Sequence, residues 1–334
     1  MGVDTMQELL KKFWAGDFRA LAKVISILEN EDSGHEALMR QICAKTGRAY
    51  ILGVTGSPGA GKSSLVDQLT TLLRKAGNTV GIIAVDPTSP FSSGALLGDR
   101  IRMQEHTLDQ GVFMRSMATR GSLGGLAYAT KEAVRAVNAF GFDWVIVETV
   151  GVGQTEMNIL YVADTVVVVL TPGAGDSIQA MKSGIMEIAD VFAVNKSDLP
   201  GADKVASEVE AMLQLKLKAP SWHPPVVKTS TVTPAGLEDF LTAIQEHRNY
   251  LIENGLFQTR REERLKAGTL EILDRMWQTL IREEIITSKE VSGILELAAR
   301  QQMDQYTAAA SVFKHIFAGA QASCSWVEEI LQKI

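Results

Sequence analysis

Residues 53–69 read GVTGSPGAGKSSLVDQL, and no other stretch of the chain restricts the fold as tightly. The spacing Gly56-x-x-x-x-Gly61-Lys62-Ser63 is a complete phosphate-loop signature. Its glycines let backbone amides close around phosphate oxygens, and the helix that follows turns its positive end toward them. Ile51–Thr55 precede the loop as a short apolar strand, and Lys62 to about Lys75 read as a helix. In that setting Gly56, Ser57, Pro58, Gly59, Ala60, Gly61, Lys62, Ser63 and Ser64 form the candidate nucleotide cradle. Lys62 is expected to reach the β and γ phosphates, and the Ser63 hydroxyl to ligate Mg²⁺.

The rest of the chain supplies the sheet that such a loop needs. Near-continuous apolar runs occur at 78–86, 111–116, 144–151, 165–173 and 190–198, with a weaker one at 226–229. Helical patterns separate several of them, notably over 121–140, and 236–247 reads as a closing helix. Unbroken Val/Ile runs alternating with helices predict an α/β fold, a P-loop NTPase with a mostly parallel sheet flanked by helices. Functional residues then belong at the carboxyl ends of the strands. Residues 5–47 read as amphipathic helices broken near Gly16–Asp17, and β-alternation is absent after residue 250. The expected organisation is an N-terminal helical segment (1–47), the P-loop domain (48–250) and a C-terminal helical region (251–334). Apolar stripes on the last would suit the rest of the chain or a second subunit.

Three strand-end stretches narrow the chemistry. Asn195, Lys196 and Asp198, in NKSD after the run DVFAV, have the spacing of a guanine-recognition element. An Asp198 carboxylate can accept from guanine N1 and N2, whereas adenine offers no N2 donor and presents N1 as an acceptor. ETVGVGQTE (148–156) places Glu148 at a strand end and Gly151 three residues later, the layout of a metal-side carboxylate and a γ-phosphate sensor. Asp86 ends another strand and Asp99 follows in GALLGDRIRM. With Ser63 and Glu148 they are the candidate metal ligands, since carboxylates beside a triphosphate need a cation between them. Lys62, Asp86, Asp99, Glu148 and Gly151 form the candidate catalytic set. Ser230, in the Thr-Ser pair after the weak last strand, is a candidate support for the base.

Other functions fit poorly. A formal charge of −6 argues against a nonspecific nucleic-acid surface. No run reaches the roughly 18–20 apolar residues of a membrane span. Two cysteines, Cys43 and Cys324, lie far apart, and the N-terminal stretch MGVDTMQELLKKFW lacks an uninterrupted apolar run, so a reducing, cytoplasmic setting is expected. Five histidines and two cysteines without clustering weigh against a metallocentre-insertion GTPase, the main alternative. A GTP-binding scaffold with little hydrolysis is another.

Taken together, GVTGSPGAGKSSLVDQL, AVDPTSPFSSGALLGDRIRM, VETVGVGQTE, GAGDSIQAMKSGIMEIAD and NKSD resemble the MeaB/ArgK family of P-loop GTPases. The resemblance runs from about residue 10 to 250 and on into the helical tail. It implies GTP/GDP and Mg²⁺ as ligands and hydrolysis of GTP. It also implies a chaperone role toward an adenosylcobalamin-dependent acyl-CoA mutase, methylmalonyl-CoA mutase or a relative, gating cofactor loading, protection or reactivation. A homodimer formed largely through the C-terminal helices is implied as well. By the same resemblance Gln154 falls in switch II, and Asp176, Gln179 and Lys182 fall in switch III, where nucleotide state would be relayed to the mutase. Ser177 and Ala180 stand near where the family usually carries an acidic residue and a glycine. No cobalamin-binding DxHxxG pattern is present, so the cofactor is expected on the partner.

Overall fold

The computed structural model describes residues 3–45, 47–86, 106, 108–118, 128–149, 158–173, 185–215 and 222–319. Seven strands form one sheet: β1 (Tyr50–Gly56), β2 (Val80–Asp86), β3 (Val112–Ala118), β4 (Trp144–Glu148), β5 (Thr165–Leu170), β6 (Val191–Val194) and β7 (Val226–Lys228). Their order is β3-β2-β4-β1-β5-β6-β7, and every pairing is parallel. The loop-bearing strand β1 is therefore central. Chain order diverges on either side of it, which opens a crevice at the carboxyl ends of β1 and its neighbours.

Helices cover both faces, which is why the strand sequences are apolar at every position rather than at alternate ones. One face carries α1 (Val3–Trp14), α2 (Phe18–Glu29), α3 (His35–Cys43), α5 (Tyr128–Phe140) and α6 (Ala202–Leu215). The other carries α4 (Lys62–Lys75) and α7 (Leu237–Glu253). The N-terminal helices thus bury their apolar stripe on the sheet side of the molecule. Asp17 starts α2 by accepting from the backbone N–H groups of Arg19 and Ala20. Phe13, Phe18, Phe113, Phe140 and Phe142 then meet mostly edge-on or tilted, and Arg115 of β3 pairs with Glu29 at 2.8 Å. The helix α6 has no counterpart among the sequence expectations. Its buried positions, Val205, Ala206, Val209 and Leu213, are nevertheless helically spaced.

The amino end of the sheet is closed by charge pairs. Asp164, just before β5, accepts from Ile51 N–H and is clasped by Arg261 at 3.0 and 2.6 Å. Asp190, just before β6, accepts from Val166 N–H and lies 3.1 Å from His247 and 3.3 Å from Arg260. Thr165 bonds to both His247 and the Tyr50 hydroxyl inside the same layer. Burial pushes the Tyr50 phenol well above its usual range, so it stays neutral in this layer. Both arginines come from the start of α8 (Leu256–Thr287).

Two compact units are present, residues 1–262 and 263–334. The second holds the distal part of α8 with α9 (Lys289–Ala299) and α10 (Gln305–Gly319). Within it, Ser288 caps α9 through Val291 N–H, His315 bonds to the Ser288 hydroxyl, and Trp277 meets Phe313 edge-on. No helix among the described residues is long and apolar enough to cross a membrane.

Candidate functional site

The loop after β1 owes its path to two glycines. Gly56 has φ of +141°, and a Cβ there would lie 2.2 Å from the Val169 carbonyl oxygen. Gly61 has φ of +86°, and a Cβ there would lie 2.4 Å from the Asn195 amide nitrogen. Any side chain at either position would force the loop off the strands that flank it. Lys62 opens α4 and is buried. Its ammonium folds back to donate to the carbonyls of Gly56 at 2.8 Å and Ser57 at 3.0 Å. The lysine is thus held across the mouth of its own loop, by bonds a phosphate oxygen can replace.

The next residue faces the opposite wall. Ser63 donates to Glu148 Oε1 at 2.6 Å. Register fixes this meeting: Val54 of β1 sits beside Glu148 of β4, which sits beside Ala84 of β2. Asp86 ends β2 two residues further on, roughly 7 Å along the strand. Ser63, Asp86 and Glu148 are each less than a tenth exposed. Beyond Glu148 the two strands stay laced, with Thr149 N–H donating to the Val54 carbonyl and the Thr55 and Thr149 hydroxyls 2.8 Å apart.

These donors fit Mg²⁺. All are oxygens, which suits a hard cation, and two buried carboxylates in adjacent strands favour positive charge between them. Among the described residues no group of three His, Cys, Asp or Glu could hold a metal by itself. A small protein set completed by water and phosphate oxygens is the usual arrangement for Mg²⁺. Asp99 and Gly151, expected on this side, lie outside the described residues. So do Gln154, Asp176, Ser177, Gln179, Ala180 and Lys182.

The base side forms at the end of β6. Asn195 reaches 135 positions back along the chain, donating to the Ala60 carbonyl at 2.9 Å, while its own oxygen accepts from Thr229. Lys196 takes a left-handed backbone (φ +58°), and its side-chain Cε approaches Gly61. Asp198 is exposed at the rim, and Ser230 donates to its Oδ1 at 2.5 Å. The Ser230 oxygen in turn accepts from the N–H groups of Val232 and Thr233, and Ser197 N–H donates to the Thr229 carbonyl. Asp198 is therefore aimed by a serine that is itself fixed by two amides. Thr229 stands with Ser230 in the Thr-Ser pair the sequence offered on this side, whereas the hydroxyls of Thr55 and Thr149 are contributors the sequence reading missed. No motif marks them, and only their position at strand ends could have drawn attention to them.

The arrangement can grip a triphosphate and a divalent cation at one end and a guanine at the other. Comparison with known proteins points the same way. The family model described as "Methylmalonyl Co-A mutase-associated GTPase MeaB" matches residues 21–286. A Pyrococcus abyssi protein carrying a GTPase name is 45% identical over 317 residues, covering 94% of this chain and 98% of that one. GTPase ArgK of Escherichia coli is 34% identical over 267 residues, 78% of this chain and 81% of ArgK. The mitochondrial methylmalonic aciduria type A homolog of Caenorhabditis briggsae is 33% identical over 281 residues, 78% of this chain and 68% of the homolog. A crystal structure titled LAO/AO transport system kinase shares the fold, with a TM-score of 0.68 and 24% identity over 95% of this chain and 99% of that one.

Proposed function

This chain belongs to the MeaB family of methylmalonyl Co-A mutase-associated GTPases, and we propose that it uses GTP hydrolysis to gate an adenosylcobalamin-dependent acyl-CoA mutase. As a member of a GTPase family it takes GTP with Mg²⁺ and turns it over to GDP and phosphate. The observation that carries the site assignment is the Asn195–Ala60 bond, which joins the guanine element to the phosphate loop in one cradle. In this reading Asp198 selects guanine, aimed by Ser230. Lys62 leaves the Gly56 and Ser57 carbonyls for the β and γ phosphates and offsets negative charge that develops as water attacks. Ser63, Asp86 and Glu148 would hold Mg²⁺, which supplies charge neutralisation at the β and γ oxygens. Asp99 and Gly151 would complete the γ-phosphate side.

The mutase role draws its support from the family description and from likeness to the methylmalonic aciduria type A homolog. The proposed relay runs through Asp176, Gln179 and Lys182, and the cobalamin stays on the mutase. A homodimer through the C-terminal region is supported by α8, where Leu265, Leu273, Met276 and Leu280 are exposed at helical spacing on one face.

The test is GTP turnover with and without a purified adenosylcobalamin-dependent mutase, with Lys62→Ala as control. Stimulation by one mutase, lost in the variant, is the expected result. Turnover indifferent to every such mutase would leave the GTPase standing and remove the chaperone role.

A further inference from the structure

The hydroxyl of Thr171 is buried and has no hydrogen-bond partner among the described residues, in a residue only 7% exposed. Buried hydroxyls are rarely left so, because the bonds they made to water must be replaced. Thr171 directly follows β5. The preceding Leu170 carbonyl accepts the Asn195 N–H at 2.8 Å, and Leu170 is in register with Val194. Thr171 therefore stands beside Asn195 at the carboxyl edge. Along β5, Val167 and Val169 belong to the core shared with α4, and strand alternation carries Thr171 on the same side. That is the side on which Asn195 grips the phosphate loop.

A second polar group sits nearby without a bond. The ammonium of Lys196, a partly buried residue, makes no hydrogen bond or ion pair among the described residues, although its backbone is held at φ +58° with the carbonyl accepting from Leu199 N–H, and its tail reaches Gly61. An unused acceptor and an unused donor thus flank one stretch of the nucleotide cradle. We propose that Thr171 is a positioning residue for nucleotide binding: when GTP or GDP occupies the cradle, its hydroxyl accepts from the Lys196 ammonium and fixes that side chain along the base. The proposal rests on the guanine reading of the site.

The test combines fluorescent-GDP titration and thermal melting, with and without GDP, on the full chain and on Thr171→Val, Thr171→Ser, Lys196→Met and Thr171→Val with Lys196→Met. Thr171→Val should weaken GDP by about fivefold to tenfold. It should leave the nucleotide-free melting temperature equal or higher, because an unpaired buried hydroxyl has been removed. Thr171→Ser should restore affinity, and the combined variant should bind no worse than Lys196→Met alone. A drop in nucleotide-free melting temperature with affinity unchanged would make the hydroxyl merely structural and overturn the proposal. Multiplying losses in the combined variant would overturn it too. Failure of the unaltered chain to bind GDP would instead sink the guanine reading, and this proposal with it.

Discussion

The two ends of the sheet are built on opposite plans. At the amino end, Asp164 and Asp190 are buried acids whose oxygens are met by backbone N–H groups and by Arg260, Arg261 and His247. Those contacts join partners that are all fixed within the protein. At the carboxyl end, Lys62 is bonded to carbonyls of its own loop, Asp198 stands exposed, and the Thr171 hydroxyl is unpaired among the described residues. One end is finished by folding. The other is held by contacts that a ligand can take over. In the proposed reading a parallel sheet thereby separates stability from function: contacts made internally fix the strands, and those strands present groups whose partners would arrive with the nucleotide.

If that division is sound, changes at the two ends should separate into different assays. The largest effect expected is from Asp164→Ala, which removes the acceptor of Ile51 N–H and leaves the Arg261 guanidinium without its carboxylate, holding only the Ala49 carbonyl. Stability should fall by about 3–5 kcal/mol in denaturant titration, while GTP affinity of the folded fraction holds. Equal damage to affinity would mean that the two ends are not independent. Next comes Lys62→Ala, expected to slow GTP turnover about 100- to 1000-fold while the nucleotide-free protein unfolds within about 1 kcal/mol of the original. Loss of fold instead would make the lysine part of the scaffold. Ser230→Ala should be smaller, weakening guanine nucleotides by about fivefold through a loosely aimed Asp198 and leaving stability nearly unchanged.

The smallest effect lies at the amino end and depends on pH. The Arg74 guanidinium, helped by Gly111 N–H, holds the Asp109 carboxyl at about 2. A carboxyl lowered on folding contributes stability that is complete above its ordinary range near pH 4 and is lost as pH falls through about 2. Asp109→Asn should therefore flatten the acid limb of the stability curve and leave GTP turnover at neutral pH unchanged. An unaltered acid limb would remove Asp109 from the finished end.

Much of the carboxyl end was legible in the sequence, and most of the amino end was not. The Gly56–Ser63 spacing and NKSD are local patterns. Each places its own backbone around a ligand, so a short window contains the whole signal. Glu148 was legible for a related reason: an acid that ends an apolar run must leave the core at a strand tip. Asp164 and Asp190 also border apolar runs, yet their partners lie 97 and 70 positions away in Arg261 and Arg260. Nothing local distinguishes those arginines from solvated charges on a long helix. The helix α6 escaped notice because its stripe leans on Ala202, Val205, Ala206 and Val209. Such residues signal periodicity weakly beside the strong punctuation of NKSDLPG.

Asn195 has a consequence for how this protein can change over time. One amide holds the phosphate loop through Ala60 and is itself held by Thr229 beside the Ser230–Asp198 contact. In the proposed site the base side and the phosphate loop therefore share one amide. Exchange of Asp198 would leave the Asn195–Ala60 bond in place, whereas exchange of Asn195 would loosen the loop and the base side in one step. A lineage could thus drift in base choice at Asp198 more freely than at Asn195.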